Sequence, residues 1–329
     1  MAEIIGIDIG GTKCSVTLGE SDGTHIGVLQ KSAFLTAGFS TPELAVEKCC
    51  EEIGRMTAGR PFAGIGVSCG GPLDSARGVI TSPPNLPGWD DVPICKILEE
   101  RFGVKAVLRN DADACAAAEW AYGAGRGTEN FIFLTCGTGL GAGLILGGRL
   151  YSGKLGMAGE LGHWRMREYG PVGYGKAGSL EGFFSGTGIA QIAESRLLEL
   201  KQRGERRHIL SEITDKGGSP TAQDVFKLAM EKDPLCLGIV EEAGTMLGHG
   251  MAMLIDLLNP EIIVGGSIFT RNYSLLYPIV RRAADREALT PSAAHCRILP
   301  SELGENIGDI SALAAAPLTA YGRENTFRK

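Results

Sequence analysis

Twice along the chain an apolar strand enters a glycine turn and leaves it as a second apolar strand, and this recurrence limits the possible folds more than any other feature. The first copy covers residues 3–21, with Gly10-Gly11-Thr12-Lys13 between runs of apolar and β-branched side chains. The second begins with a strand over 131–135, turns through Gly137-Thr138-Gly139-Leu140-Gly141-Ala142-Gly143 and continues as a hairpin to 150. The likeness is one of architecture rather than of sequence. It predicts two related α/β lobes closing on one ligand from opposite sides, and 329 residues are enough for two cores.

Between and beyond these turns the pattern alternates. A helix is expected over 42–56, where Thr41 can cap and Leu44, Val46, Cys49, Ile53 and Met56 form a stripe. A strand over 62–67 leads into Cys69-Gly70-Gly71-Pro72, followed by a helix over 92–102, a strand over 105–108 and a helix over 111–122. Past Ser185 the stripes at 188–200, 221–232 and 235–258 are helical, 262–264 is a strand ending in Gly265-Gly266-Ser267, and a last helix covers 307–318. The lobe boundary is expected near Asn110. That gives an N-terminal lobe of residues 1–110, rejoined by about 308–329, and a C-terminal lobe of 111–307.

Composition excludes several classes. Hydrophobic residues at 44% and charged residues at 21% suit a soluble enzyme, and 48 glycines without a collagen period imply many places where backbone approaches a neighbour or a ligand. A net charge of −6 argues against the concentrated basic surface that nucleic acid demands. The run Lys201-Gln202-Arg203-Gly204-Glu205-Arg206-Arg207, broken by acid and glycine, reads as a solvated helix end. Nine cysteines form no C-x-x-C pair and read as reduced thiols in cores and strands. The N-terminus enters Ile4-Ile5-Gly6-Ile7-Asp8 without a basic leader, and no apolar run has membrane-spanning length. The expectation is a cytoplasmic protein with no nucleic-acid or membrane partner.

Four groups of residues carry chemistry. In Asp8-Ile9-Gly10-Gly11-Thr12-Lys13 a carboxylate at a strand end precedes a turn whose N–H groups can converge on phosphate oxygens, with Asp8 placed to hold hydrated Mg²⁺; the plain alternative is a hairpin turn with a solvated aspartate. The alternating glycines of 137–141 can lie flat against a second charged group. Asn110-Asp111 stands between a strand and a helix, so Asp111 is either a helix cap or a carboxylate able to take a proton from a substrate hydroxyl, with Asn110 as a hydroxyl binder. Glu160-Leu161-Gly162-His163 with Ser179-Leu180-Glu181 offers the donors and acceptors a polyhydroxylated ligand needs, or a zinc site of unusual spacing. Gly173-Tyr174-Gly175-Lys176-Ala177-Gly178 matches G-x-G-x-x-G, but no buried parallel strand precedes it, so it does not read as a dinucleotide site.

The ordered set Asp8-Ile9-Gly10-Gly11-Thr12-Lys13, Asn110-Asp111-Ala112-Asp113, Gly137-Thr138-Gly139-Leu140-Gly141, Glu160-Leu161-Gly162-His163 and Leu180-Glu181 resembles the ROK family of bacterial sugar kinases and repressors, over essentially the whole chain. The resemblance implies the two-lobed actin-like ATPase (ribonuclease H-like) α/β fold with an active-site cleft between the lobes. It implies ATP-dependent phosphorylation of a hexose or N-acylated hexose, at O6, with Mg²⁺, and it allows a homodimer. Asp111 matches the catalytic base, and Asn110, Glu160, His163, Glu181 and Gly71 match the sugar ligands. Asp8, Gly10, Gly11, Thr12 and Lys13 match the first phosphate turn, Gly137, Thr138 and Gly139 the second, and Gly265 with Gly266 the adenosine turn. The chain departs from the pattern where the family has three zinc-binding cysteines, at positions that here hold Val172, Tyr174 and Ser179, so no structural zinc is expected. It has Gly70-Gly71-Pro72 where the family more often has Pro-Gly-Pro, and it starts only a few residues before Asp8, without the repressors' DNA-binding segment. A non-catalytic sugar-sensing regulator and a polyphosphate-dependent kinase are the rival expectations.

Overall fold

Ile4, Ile5, Ile7 and Ile9 are all at most 2% exposed, so strand β1 (Ala2–Ile9) is covered on both faces and is the centre of its sheet. Around it the order is β3-β2-β1-β4-β7, with β2 at Lys13–Ser21, β3 at Ile26–Leu35, β4 at Ile65–Cys69 and β7 at Ala106–Asn110. β1 runs antiparallel to β2 and parallel to β4, and β4 is parallel to β7. The register pairs Ile9 with Cys69 and Cys69 with Asn110. Three strands therefore end in one row, and the residues that follow them, Gly10, Gly70 and Asp111, start from the same sheet edge.

The computed structural model describes residues 1–205 and 208–317 and divides into two units. The first holds Met1–Phe133, Ala142–Gly159 and the described residues from Ser301 onward. One face of its sheet carries α1 (Pro42–Thr57) and, past the short pair β5 (Leu73–Asp74) and β6 (Val79–Ile80), α2 (Ile94–Phe102). The other face carries α12 (Ile307–Ala315), which packs on β1, β4 and α3 (Asp111–Tyr122). That approach requires glycine: a Cβ on Gly6 would stand 2.7 Å from Leu313 N, and one on Gly66 would overlap the Ala312 carbonyl. β9 (Ala142–Leu146) and β10 (Arg149–Leu150) form an antiparallel hairpin in this unit, which also takes most of β8 (Phe131–Leu134).

The second unit holds Leu134–Gly141 and Glu160–Pro300. It contains the hairpin β11 (Val172–Gly173) and β12 (Lys176–Ala177), α4 (Leu180–Phe183), α5 (Gly186–Gln202), α6 (Ser211–Asp215), α7 (Ala222–Met230) and α8 (Pro234–Leu258). It ends with β13 (Ile262–Gly265), α9 (Ser267–Arg271), α10 (Tyr273–Glu287), α11 (Thr290–His295) and β14 (Arg297–Pro300), β13 and β14 being parallel. α8 is apolar round much of its circumference because α4, α5, α7 and α10 all pack on it. Among the described residues no helix is long and apolar enough to cross a membrane.

Several sequence expectations shift. β3 follows no apolar pattern in the sequence because it is an edge strand that alternates half-buried and exposed residues. Thr41 stands at the start of α1, but its side chain makes no cap hydrogen bond and Pro42 opens the helix. The last helix ends at Ala315; Leu318, the rest of 318–329 and Arg206 and Arg207 of the basic run lie outside the described residues.

Candidate active site

In the first unit the sheet edge assembles Asp8, the turn 10–13, Gly71 and the pair Asn110-Asp111. Thr36 pins the turn, its hydroxyl donating to Gly10 O at 2.6 Å and its N–H to Thr12 O at 3.0 Å, while Gly10 N donates to Lys13 O. Asn110, not Asp111, is the cap of α3: its Oδ1 accepts from Ala112 N at 3.0 Å and Asp113 N at 3.4 Å. Asp111 Oδ1 also accepts from Ala112 N, at 2.8 Å. A methyl group on Gly71 would lie 3.5 Å from Asn110 Nδ2, and one on Gly70 would lie 4.0 Å from Asp111 Oδ2. These two glycines thus leave room in front of the pair.

Asp111 is open to solvent, yet the mass of protein around it disfavours its charge and raises its pKa above the ordinary carboxylate range. Asp8 is pushed up to about 6, first by desolvation and then by the negative charges of Asp111 and Asp309, against the opposing pull of Lys13 and Lys31. Asp309, on α12, is itself held by Lys31 Nζ at 2.6 Å and Thr17 Oγ1 at 3.4 Å. Asp8, facing these other negative charges, offers the hard oxygen donor that a divalent cation such as Mg²⁺ prefers.

In the second unit the turn 137–141 is fixed from three sides. Gly186 N donates to Gly137 O at 2.9 Å, Ile268 N donates to Cys136 O at 3.0 Å, and Leu140 N donates to Glu181 Oε2 at 2.9 Å. A Cβ on Gly139 would come within 2.7 Å of that same Glu181 oxygen, so a side chain there would displace the carboxylate. Glu181, read from the sequence as a sugar ligand, therefore holds the turn 137–141 in place. Glu160 precedes the single helical turn Leu161–His163, and His163 N donates back to Glu160 O at 3.1 Å. Gly265 is buried at the end of β13, where its missing side chain makes room for the Phe269 ring, and Gly266 starts α9.

Beside Gly137 and Thr138 opens a cavity of about 950 Å³. Its walls come from Gly186, Thr187 and Ala190, from the segment 219–223, from Phe226, Lys227 and Met230, and from Ser267, Ile268, Arg271 and Asn272. None of these wall residues was among the candidate site residues read from the sequence. The signal available was Ser185-Gly186-Thr187-Gly188, a third glycine-rich entry to a helix, whose Thr187 Oγ1 donates to Thr138 O at 3.2 Å.

The positions where the family's cysteines were expected offer no thiolate. Val172 is apolar and exposed, Ser179 Oγ caps α4 by accepting from Gly182 N at 3.1 Å, and the Tyr174 ring stands edge-on to His163 at 5.0 Å. This donor set does not fit zinc. The G-x-G-x-x-G stretch forms the hairpin β11–β12. One other described group, His208, Asp233 and Cys236, is close enough to share an ion. Its atoms serve as a helix cap: Asp233 accepts from Cys236 N at 2.9 Å and pairs with His208 Nε2 at 2.9 Å, and His208 Nδ1 accepts from Leu210 N at 3.2 Å.

A family model described as ROK family matches residues 4–318. A glucokinase of Halalkalibacterium halodurans is 32% identical over 314 residues, which is 93% of this chain and 92% of that protein. The xylose repressor of Bacillus spizizenii is 26% identical over 308 residues, covering 92% of this chain and 73% of the repressor. Among solved structures, a ROK family glucokinase from Streptomyces griseus in complex with glucose and AMPPNP superimposes with a TM-score of 0.77 at 27% identity, covering 95% of this chain and 99% of that one.

Proposed function

Because the chain belongs to the ROK family, we propose that Asp111 is the base of a kinase that phosphorylates O6 of a hexose or N-acylated hexose. The protein is a sugar kinase of the actin-like ATPase fold and uses ATP to phosphorylate a hexose, as its likeness to glucokinases supports. The observation that carries the assignment of the base is the position of Asp111, one residue beyond the row of strand ends and beside Asn110, with its pKa raised. A carboxylate with a raised pKa takes a proton more readily near neutrality.

The sugar hydroxyl attacks the γ-phosphorus, the bond from phosphorus to the β,γ-bridging oxygen breaks, ADP leaves, and the hydroxyl proton passes to Asp111 Oδ2. Oδ1, engaged by Ala112 N, fixes the plane of the carboxylate. Asn110, Gly71, Glu160, His163 and Glu181 hold the sugar, while the turns 10–13 and 137–139 hold phosphate oxygens. Asp8 would hold hydrated Mg²⁺, which would supply positive charge to neutralise the phosphates. The adenosine lies in the cavity beside Gly137, whose wall takes in Ser267 directly after the Gly265-Gly266 turn, which favours a nucleotide over polyphosphate as donor. The loop 160–179 works without a structural zinc, and the enzyme acts in the cytoplasm.

A coupled ADP-release assay over hexoses, N-acetylhexosamines and ketoses tests this reading. ATP-dependent turnover of an aldohexose or its N-acyl derivative, with the phosphate on O6, is expected. Tight sugar binding without turnover would replace it with the regulator reading that the xylose repressor exemplifies. Turnover with polyphosphate but not ATP would overturn the donor assignment.

A further inference from the structure

The hairpin β11–β12 turns through Tyr174-Gly175, and both residues have positive φ, 45° and 73°. Two-residue hairpins of this kind take Asn-Gly or Gly-Gly, because a bulky side chain is disfavoured in the left-handed region. Burial does not account for tyrosine here, since Tyr174 is 65% exposed. What the ring does contact is His163, edge to face at 5.0 Å and 85°.

The rest of the hairpin is built to hold that contact. Gln191 of α5 brackets Val172 as a neighbouring strand would: Val172 N donates to Gln191 Oε1 and Gln191 Nε2 donates to Val172 O, both at 2.9 Å. Lys176 Nζ donates to His163 O at 2.6 Å. Leu180 N reaches Trp164 O at 2.8 Å and Met166 N reaches Gly178 O at 2.8 Å, tying the two sides of the loop together. His163 is thus gripped by its backbone through Lys176 and by its ring through Tyr174, in a loop whose side chains do not fit a metal.

We propose that Tyr174 is a positioning residue for sugar binding: its ring sets the orientation in which the His163 imidazole meets a sugar hydroxyl. The inference rests on the reading of His163 as a sugar ligand. Tyr174 acts through His163 and touches neither sugar nor nucleotide. An edge-on aromatic contact of this kind corresponds to roughly a 2- to 10-fold change in affinity.

The test compares Tyr174→Gly, Tyr174→Asn and Tyr174→Phe with the parent enzyme for hexose KM, ATP KM, kcat and melting temperature, with His163→Asn as a reference. Glycine and asparagine both suit the left-handed backbone, so both variants should keep the melting temperature while hexose KM rises about 2- to 10-fold and ATP KM stays put. Tyr174→Phe keeps the ring and should match the parent. An unchanged hexose KM in the glycine and asparagine variants, or a phenylalanine variant as impaired as they are, would overturn the proposal. So would melting temperature and both KM values moving together, since that marks a purely structural residue. If His163→Asn leaves hexose KM untouched, the sugar-ligand reading fails and the proposal falls with it. If His163→Asn raises KM and Tyr174→Gly does not, only the positioning role fails.

Discussion

Asp8 is the residue whose charge conflicts most with its surroundings, and the conflict gives it a measurable pH signature. Its pKa of about 6 lies above that of an aspartate in an unfolded chain, near ~4. Between those values the native state holds a proton that the unfolded state has lost, so folding stability falls as pH rises from about 4 to about 6, and is fully present only below about 4. Two pKa units correspond to about 3 kcal/mol. Asp8→Asn should therefore stabilise the magnesium-free protein at pH 7 by about 1–3 kcal/mol in urea unfolding, and the gain should vanish near pH 4. The same variant should lose most of its turnover; no gain at pH 7 would mean that the neighbouring carboxylates do not strain Asp8. For Asp111, Asp111→Asn should retain sugar binding by calorimetry and lower kcat by about two to four powers of ten. Nearly unchanged turnover would assign the base elsewhere. The sequence marked both residues by their place after apolar strands. It named Asp111 as the possible cap of α3, and the hydrogen bonds from Ala112 and Asp113 assign that role to Asn110 instead, because both residue types can cap a helix.

At the scale of elements, the central strands and long helices were readable because burial on nearly every side imposes sustained apolar runs, as in β1, β4, α3 and α8. The edge strand β3 and the short helices α9 and α11 were not, since half-exposed or brief elements need no sustained pattern. The link between α4 and the turn 137–141 was also invisible, because the sequence separates Leu140 from Glu181 by about forty residues and only folding brings them to 2.9 Å. That link has a kinetic consequence. Glu160→Ala should raise hexose KM and leave ATP KM unchanged. Glu181→Ala should raise both, by roughly 10- to 100-fold for a lost charge-assisted hydrogen bond, because the turn that holds phosphate loses its acceptor for Leu140 N. Steady-state kinetics with each substrate varied in turn separates the two. An ATP KM untouched by Glu181→Ala would show that the turn keeps its shape without the carboxylate.

Across the whole molecule no thiol falls within the stretch of sequence where a metal-bound loop would use one. All nine cysteines are unpaired, all but Cys115 are buried, and none falls between residues 160 and 191. Burial pushes their pKa values up, Cys236 to about 12 and Cys95 to about 12, so they stay protonated at neutral pH and are poor ligands without rearrangement. The loop that carries Glu160 and His163 is instead tied by Gln191, Lys176, Ser179 and Tyr174. If those contacts hold it, removing metal should cost nothing: untagged protein should contain far less than one zinc per chain by elemental analysis, and a chelator should leave the melting temperature of the ligand-free protein unchanged. Chelation should still stop turnover by removing Mg²⁺, and excess Mg²⁺ should restore it where zinc does not. Zinc at one per chain that survives dialysis would contradict this. His208→Ala would then locate it, since loss of the metal in that variant would place it at the cap of α8, and retention would place it in the loop against the donor chemistry found there.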